Sequence, residues 1–294
     1  MLKKLGEFEY SQPTILQEAI SLLEKYGEEA KILSGGTDLF VAMKEQGLTP
    51  KYLVDIKNIP DLEYIRYDEK EGLRIGALTT IKQIETSLLI REKFPPLAQA
   101  AKVLGSVQVR NRATIGGNLC NAAPSAETAP TLLVLNTNVK VAGSKGERTL
   151  PLEQFFLGPG LTVLQNEILT EIMVPSLSAN IRGVYLKIGR RRAVDLALVG
   201  VAVAVAMDGN KWKDVRIALG AVAPTPIRAR RAEKLLEGKR TDAALMQEAG
   251  QIASEEASPI SDVRASAWYR KELVKVLVQR ALEQIDKPEM GGGR

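Results

Sequence analysis

Two glycine pairs stand about eighty residues apart in the 294-residue chain, and each has the surroundings of an anion site. The first, Ser34-Gly35-Gly36-Thr37-Asp38, follows the apolar run Ala30-Lys31-Ile32-Leu33 and precedes a helical stretch that begins near Asp38. Where a strand hands over to a helix, unpartnered backbone N–H groups collect and the helix dipole favours negative charge. Without a Cβ, residues 35 and 36 can take positive φ and turn successive amides toward a diphosphate, with the Ser34 or Thr37 hydroxyl as a further donor. The pattern is neither GxGxxG nor a Walker loop, which would need a lysine after its final glycine. Taken alone, a plain tight turn accounts for this double glycine better. The second pair lies in Ala113-Thr114-Ile115-Gly116-Gly117-Asn118, approached through Val109-Arg110-Asn111-Arg112 and followed by residues 119–125 and Glu127. Either the two loops converge on one phosphate-bearing ligand, or they are unrelated turns.

Composition narrows what such a ligand could be. The chain has one cysteine, Cys120, and no histidine. That removes Ser-His-Asp and Cys-His catalysis, the common zinc sites, a cysteine-ligated cluster built from this chain alone, and flavin attachment through histidine. Redox chemistry would need a non-covalently held organic cofactor or a partner. The net charge of +5 is spread along the chain, and the basic clusters at 190–192 and 228–231 are short and lack interleaved aromatics. Nucleic-acid binding is therefore not expected. No apolar run reaches the ~20 residues of a membrane span, the N-terminus with Lys3 and Lys4 has no apolar signal segment, and the chain reads as cytoplasmic.

The elements that must position the two loops follow from periodicity. Residues 11–26 form an amphipathic helix with Ile15, Ala19, Leu22 and Leu23 on one face, and 52–56 a strand, so the first loop sits inside a βαβ-like unit. The alternation resumes over 62–175: a strand at 73–78, a helix at 81–90 capped by Thr79 or Thr80, a helix opened by Pro95 and Pro96 that ends before Gly105, a buried helix at 128–135, and strands at 139–142 and 168–174. Pro175, Ser176 and Ser178 mark a boundary. Beyond it, 199–207 and 215–222 read as an antiparallel hairpin turned by Asp208-Gly209-Asn210, followed by helices at 228–236, 242–253 and 267–285. The expected division is 1–57, 58–176, 177–288 and a flexible tail at 289–294.

Residues 109–118 closely resemble the second flavin-binding motif of the FAD subunits of molybdenum hydroxylases, and Ser34 to Leu39 match the first. Further blocks follow in order: Glu167-Ile168-Leu169 with Ile172 and Pro175, Tyr185-Leu186-Lys187 with Arg191 and Asp195, and GAVAPTPIRARRAE at 220–233. The resemblance implies an α+β chain with the FAD-binding fold of the vanillyl-alcohol-oxidase (PCMH) type, in which two α/β subdomains clasp FAD. It also implies a C-terminal α+β domain with a small antiparallel sheet and helices. Carried over, Ser34, Gly35, Gly36, Thr37 and Asp38 with Thr114, Ile115, Gly116, Gly117 and Asn118 would hold the diphosphate and ribityl chain, and Leu33, Leu39, Val109, Ala113 and Ala123 would also bind the cofactor. Glu127, commonly Asp in relatives, would bond a ribityl or ribose hydroxyl. Ile168 and Leu169 would meet the flavin, Lys187 would lie near the ring system, and Tyr185 would shield a ring face; a solvated lysine and a half-buried strand tyrosine are the plain alternatives. One branch of the family carries a cysteine-bearing loop for a 4Fe-4S cluster, and with Cys120 alone this chain departs from it. Cys120 reads as a small apolar residue beside the second loop.

The implied function is electron transfer. FAD would be reduced by a small 2Fe-2S subunit, itself served by a large molybdenum-cofactor subunit, and would pass electrons to NAD, a quinone or another acceptor within a heterotrimer or a dimer of heterotrimers. No side chain would act as a general acid or base. Two alternatives stand beside this: a self-contained flavin oxidase or reductase, and a cofactor-free assembly or nucleic-acid module.

Overall fold

The computed structural model describes residues 5–177, 181–191, 194–209, 211–240 and 242–286. Ser178, Arg192, Asn210 and the segment 289–294, all used in the sequence expectations, lie outside them.

The first unit is a three-stranded parallel sheet made by β1 (Glu9–Ser11), β2 (Ala30–Leu33) and β3 (Tyr52–Asp55), with β3 in the centre. Helix α1 (Leu16–Tyr26) joins β1 to β2, and α2 (Leu39–Glu45) joins β2 to β3. The helix α1 buries Ala19, Ile20 and Leu23. Ile15, expected on that face, precedes the helix in extended conformation and is 58% exposed, because the helix begins one residue later and Leu16 turns inward instead.

The second unit is built on β4 (Ile65–Asp68), β5 (Gly72–Gly76), β6 (Asn138–Gly143), β7 (Gly146–Pro151) and a later strand at Ile168–Val174. A ribbon of β8 (Phe156–Gly158) and β9 (Leu161–Thr162) intervenes, so that later strand is β10. The order is β4-β5-β10-β6-β7, antiparallel throughout. Between β5 and β6 run α3 (Ile81–Thr86), α4 (Leu88–Lys93), α5 (Pro95–Val103), α6 (Val107–Arg110), α7 (Ile115–Cys120) and α8 (Thr128–Val134). The single helix expected at 81–90 is two. Ser87 leaves α3 in extended geometry and its hydroxyl accepts from Ile90 N to begin α4, a local bond that competes with helix continuation. Thr80 is the cap of α3, with a reciprocal bond to Gln83, while Thr79 is buried against Tyr64.

The third unit is the antiparallel sheet β11 (Ile181–Ile188), β12 (Val199–Asp208), β13 (Lys211–Gly220) and β14 (Ile227–Arg228), backed by α9 (Arg230–Leu236), α10 (Ala243–Glu256) and α11 (Ala267–Asp286). Strand β12 alternates valine with glycine or alanine, and side chains alternate faces along a strand. Val199, Val201, Val203 and Val205 enter the core made with α9, α10 and α11, and Ala202 and Ala204 enter the core of the second unit. Large residues thus fill one side, each fully buried valine contributing roughly 1.5–3 kcal/mol. Small ones on the other let α5 and α8 approach: a Cβ on Gly220 would lie 2.8 Å from Pro130, and one on Gly183 2.7 Å from Pro96. By the same parity Gly183, Tyr185 and Lys187 of β11 face the second unit. The basic residues at 228–231 are engaged with carboxylates: Arg228 with Glu233, Arg230 with Glu153, Arg231 with Glu255. Among the described residues no helix is long and apolar enough to cross a membrane.

Candidate cofactor-binding site

The two glycine loops touch. Gly35 lies so close to the second loop that a Cβ would sit 2.1 Å from Arg112 O, and the Thr114 hydroxyl donates to Ser34 Oγ at 3.3 Å. Within the first loop only Gly36 takes positive φ, +73°; Gly35, for which the same freedom was expected, is needed for the close approach instead. The second loop starts a helix: Thr114 caps α7 by accepting from Gly117 N, Gly116 N donates to Ala77 O, and Ile115 N donates to Thr79 O. Those amides are engaged. By contrast, none of the amides of residues 34–38 donates to an acceptor among the described residues.

These amides border a cleft of about 1060 Å³. That is at the upper end of the roughly 300–1,000 Å³ usual for small-molecule sites. Of the residues expected to hold a cofactor, Ser34, Gly35, Gly36, Thr37, Asp38, Leu39, Val109, Ala113, Thr114, Gly116, Gly117, Asn118, Ala123, Glu127, Ile168 and Leu169 line it. Three do not. Leu33 is buried beneath Gly36, Ile115 is fully buried in the core of the second unit, and Lys187 stands behind Glu127. Asn118 is oriented by the Thr128 hydroxyl, which donates to its Oδ1 at 2.5 Å and leaves the amide nitrogen to donate elsewhere. Five consecutive donors without an acceptor among the described residues, at the border of a cleft of this size, fit a large ligand with a diphosphate.

Two carboxyls also border the cleft. Burial pushes the Asp38 carboxyl up, opposed by its bond to Thr37. Burial raises Glu127 too, against the pull of the Lys187 ammonium. Lys187 is not the solvated lysine of the plain alternative: Nζ donates to Glu127 Oε1 at 2.7 Å, Asp195 O at 2.7 Å and Val103 O at 3.0 Å. Tyr185 does not line the cleft; it is 5% exposed in the core between the second and third units, its N–H donating to Gln99. Cys120 is on the cleft wall, and burial raises its thiol to about 12, so it stays a neutral apolar group.

Sequence reasoning missed several wall residues. Leu164, Gln165 and Asn166 close one side, held by the Arg148 fork on Glu167 at 2.7 Å for both bonds. The signal was Asn166 in a polar turn between strands; it has φ +54°, which asparagine tolerates. Val194, Asp195 and Leu196 come from the third unit, and Glu28, Lys31 and Ile32 from the first. No periodicity marks these, because they share the cleft only after folding.

The FAD binding domain in molybdopterin dehydrogenase matches residues 6–177, and the CO dehydrogenase flavoprotein C-terminal domain matches residues 184–285. The glyceraldehyde dehydrogenase medium chain of Sulfolobus acidocaldarius is 36% identical over 280 residues, 95% of this chain and 98% of that one. The carbon monoxide dehydrogenase medium chain of Hydrogenophaga pseudoflava is 36% identical over 276 residues, covering 94% of this chain and 96% of its own length. A solved structure of carbon monoxide dehydrogenase from that organism superposes with a TM-score of 0.92 over 95% of this chain and 97% of the other, at 36% identity. A structure of quinoline 2-oxidoreductase from Pseudomonas putida gives 0.91 over 98% of this chain and 100% of the other, at 30% identity. The chain belongs to the FAD-binding medium subunits of the molybdenum hydroxylase family.

Proposed function

We propose that this subunit relays electrons, taking them from a small 2Fe-2S subunit and passing them to NAD, a quinone or another acceptor. A large subunit with the molybdenum cofactor would carry the substrate chemistry, in a cytoplasmic heterotrimer or dimer of heterotrimers. The observation that carries the proposal is the junction of two distant loops beside a cleft, one of them with five amide donors that have no acceptor among the described residues. Bound FAD supplies the exchange between one-electron and two-electron transfer. The chain's own work is to bind and orient. Amides 34–38 and the Ser34 and Thr37 hydroxyls meet the diphosphate, while Leu39, Val109, Ala113 and Ala123 line its path. Thr114, Gly116, Gly117 and Asn118 border the ribityl chain, Glu127 accepts from one of its hydroxyls, and Ile168 and Leu169 flank the flavin. Leu33 and Ile115 support these groups from beneath. We take 1–57 and 58–176 as the two halves that clasp the cofactor, and 177–288 as the unit that backs it.

A purified chain with an absorption band near ~450 nm carries flavin. Mixing it with the reduced 2Fe-2S subunit should bleach that band, while substrate alone should not. A colourless preparation that takes up no FAD, or bleaching by substrate without any partner, would sink the proposal.

A further inference from the structure

Lys187 has the most constrained side chain in the site, and the family assignment gives it no task at the place where it stands. Its ammonium has three protons and three acceptors, on three segments that each border the cleft. Val103 O ends α5, just before Leu104 and Gly105 on the wall; Asp195 O belongs to the wall segment of the third unit; Glu127 Oε1 precedes α8. With side-chain exposures of 10% for Lys187 and 7% for Glu127, the pair is nearly removed from water. Besides Lys187, the donor that the Glu127 carboxylate meets among the described residues is its own backbone N–H. A buried carboxylate fixed by a lysine at the border of a cleft keeps lone pairs that can accept from a hydroxyl.

We propose that Lys187 is a positioning residue for the cofactor: by holding Glu127 through Oε1 and tying it to Val103 and Asp195, it keeps the carboxylate charged and aimed at a polyol hydroxyl. This rests on FAD occupying the cleft. Lys187 does not itself line the cleft but bonds two residues that do, Glu127 and Asp195, so its effect is exerted through them. Asp38 in the first loop also disfavours the charge on Glu127, while the Tyr185 phenol of β11, held protonated by burial first and by the Glu127 charge second, stays neutral beside it. Asp195 faces Lys187 from the far side, and the Cys120 thiol on α7 is neutral. Lys187 is therefore the cation that keeps the Glu127 carboxylate from taking a proton. Burial alone pushes that carboxyl upward, and a lone buried carboxylate neutralises near neutral pH.

The test is the rate of FAD release from the full chain, followed by the fluorescence of freed flavin across roughly pH 6 to 9. Wild type should release FAD slowly and with little pH dependence. Lys187→Met should release it about tenfold faster or more, as for a lost charged hydrogen bond. The rate in that variant should climb further as pH falls and Glu127 takes up a proton. Lys187→Arg should recover part of the retention. The double variant K187M/E127Q buries no unpaired charge at this pair; it should release FAD fast but without the pH slope, because the Glu127 carboxyl is no longer there to titrate. If K187M held FAD as wild type does at every pH, or if K187M and K187M/E127Q gave the same flat profile, Lys187 would have no positioning role. A wild-type chain that takes up no FAD would instead overturn the cofactor assignment on which this one rests.

Discussion

The two glycine loops look alike in sequence and do different jobs. In 34–38 the amides have no acceptor among the described residues and Gly36 is the one residue at positive φ, so the loop presents donors to the cleft. In 113–118 both glycines are helical, Gly116 N and Gly117 N are bonded within the protein, and a Cβ at Gly116 would lie 2.7 Å from Ala77 O. Glycine there serves packing, with α7 pressed onto the strand end at Ala77. Gly35 shares this second role although it sits in the first loop. A double glycine therefore reports that backbone comes close to something, and the hydrogen-bond inventory decides whether that something is ligand or protein.

Substitutions can break this contrast. The largest effect is expected from Gly35→Ala, whose methyl would run into the Arg112 carbonyl, a backbone atom that cannot swing aside. The loops must separate, and we expect roughly 3 kcal/mol or more of lost stability together with lost flavin. A thermal melt and a flavin absorbance reading on one preparation check both; retention of either would mean that the loops need not touch. Next is Gly116→Ala, which overpacks α7 against Ala77. It should cost about 1–3 kcal/mol in the flavin-free chain as well as in the bound one. An unfolding midpoint that drops only when FAD is present would mean that glycine at 116 serves the ligand and not the packing of α7, and would erase the distinction. The smallest is Ser34→Ala, which should leave the flavin-free melt within about 0.5 kcal/mol of wild type and weaken FAD about fivefold, as for one hydrogen bond. Equilibrium titration with FAD measures it, and an unchanged affinity would remove the Ser34 hydroxyl from the site.

Much of the architecture was legible in the residues. Strand–glycine–helix succession placed the first loop in a βαβ unit, as the parallel β1-β3-β2 sheet has it. The valine and alanine alternation gave the hairpin β12–β13. Local competitions were harder to read: Ser87 splitting one helix into α3 and α4, and Ile15 falling outside α1, turn on single caps and one-residue shifts. Periodicity alone does not resolve these. The helix α7 was hidden because its first turn is Ile-Gly-Gly-Asn, poor in helix propensity, and it forms on the Thr114 cap and burial of Ile115 and Leu119.

By itself the sequence determined the list of groups able to meet an anionic cofactor, the exclusion of histidine and cysteine chemistry, and the strand and helix that flank the first loop. Only the tertiary structure decided which amides are free, that Gly35 is fixed against Arg112, and that Lys187 is buried on Glu127 rather than solvated. The reason is range. Helix and strand patterns arise between residues a few positions apart, so they are written in the spacing. Whether a donor already has an acceptor, or a lysine a carboxylate, depends on partners sixty to eighty residues away, and nothing in the local spacing records those.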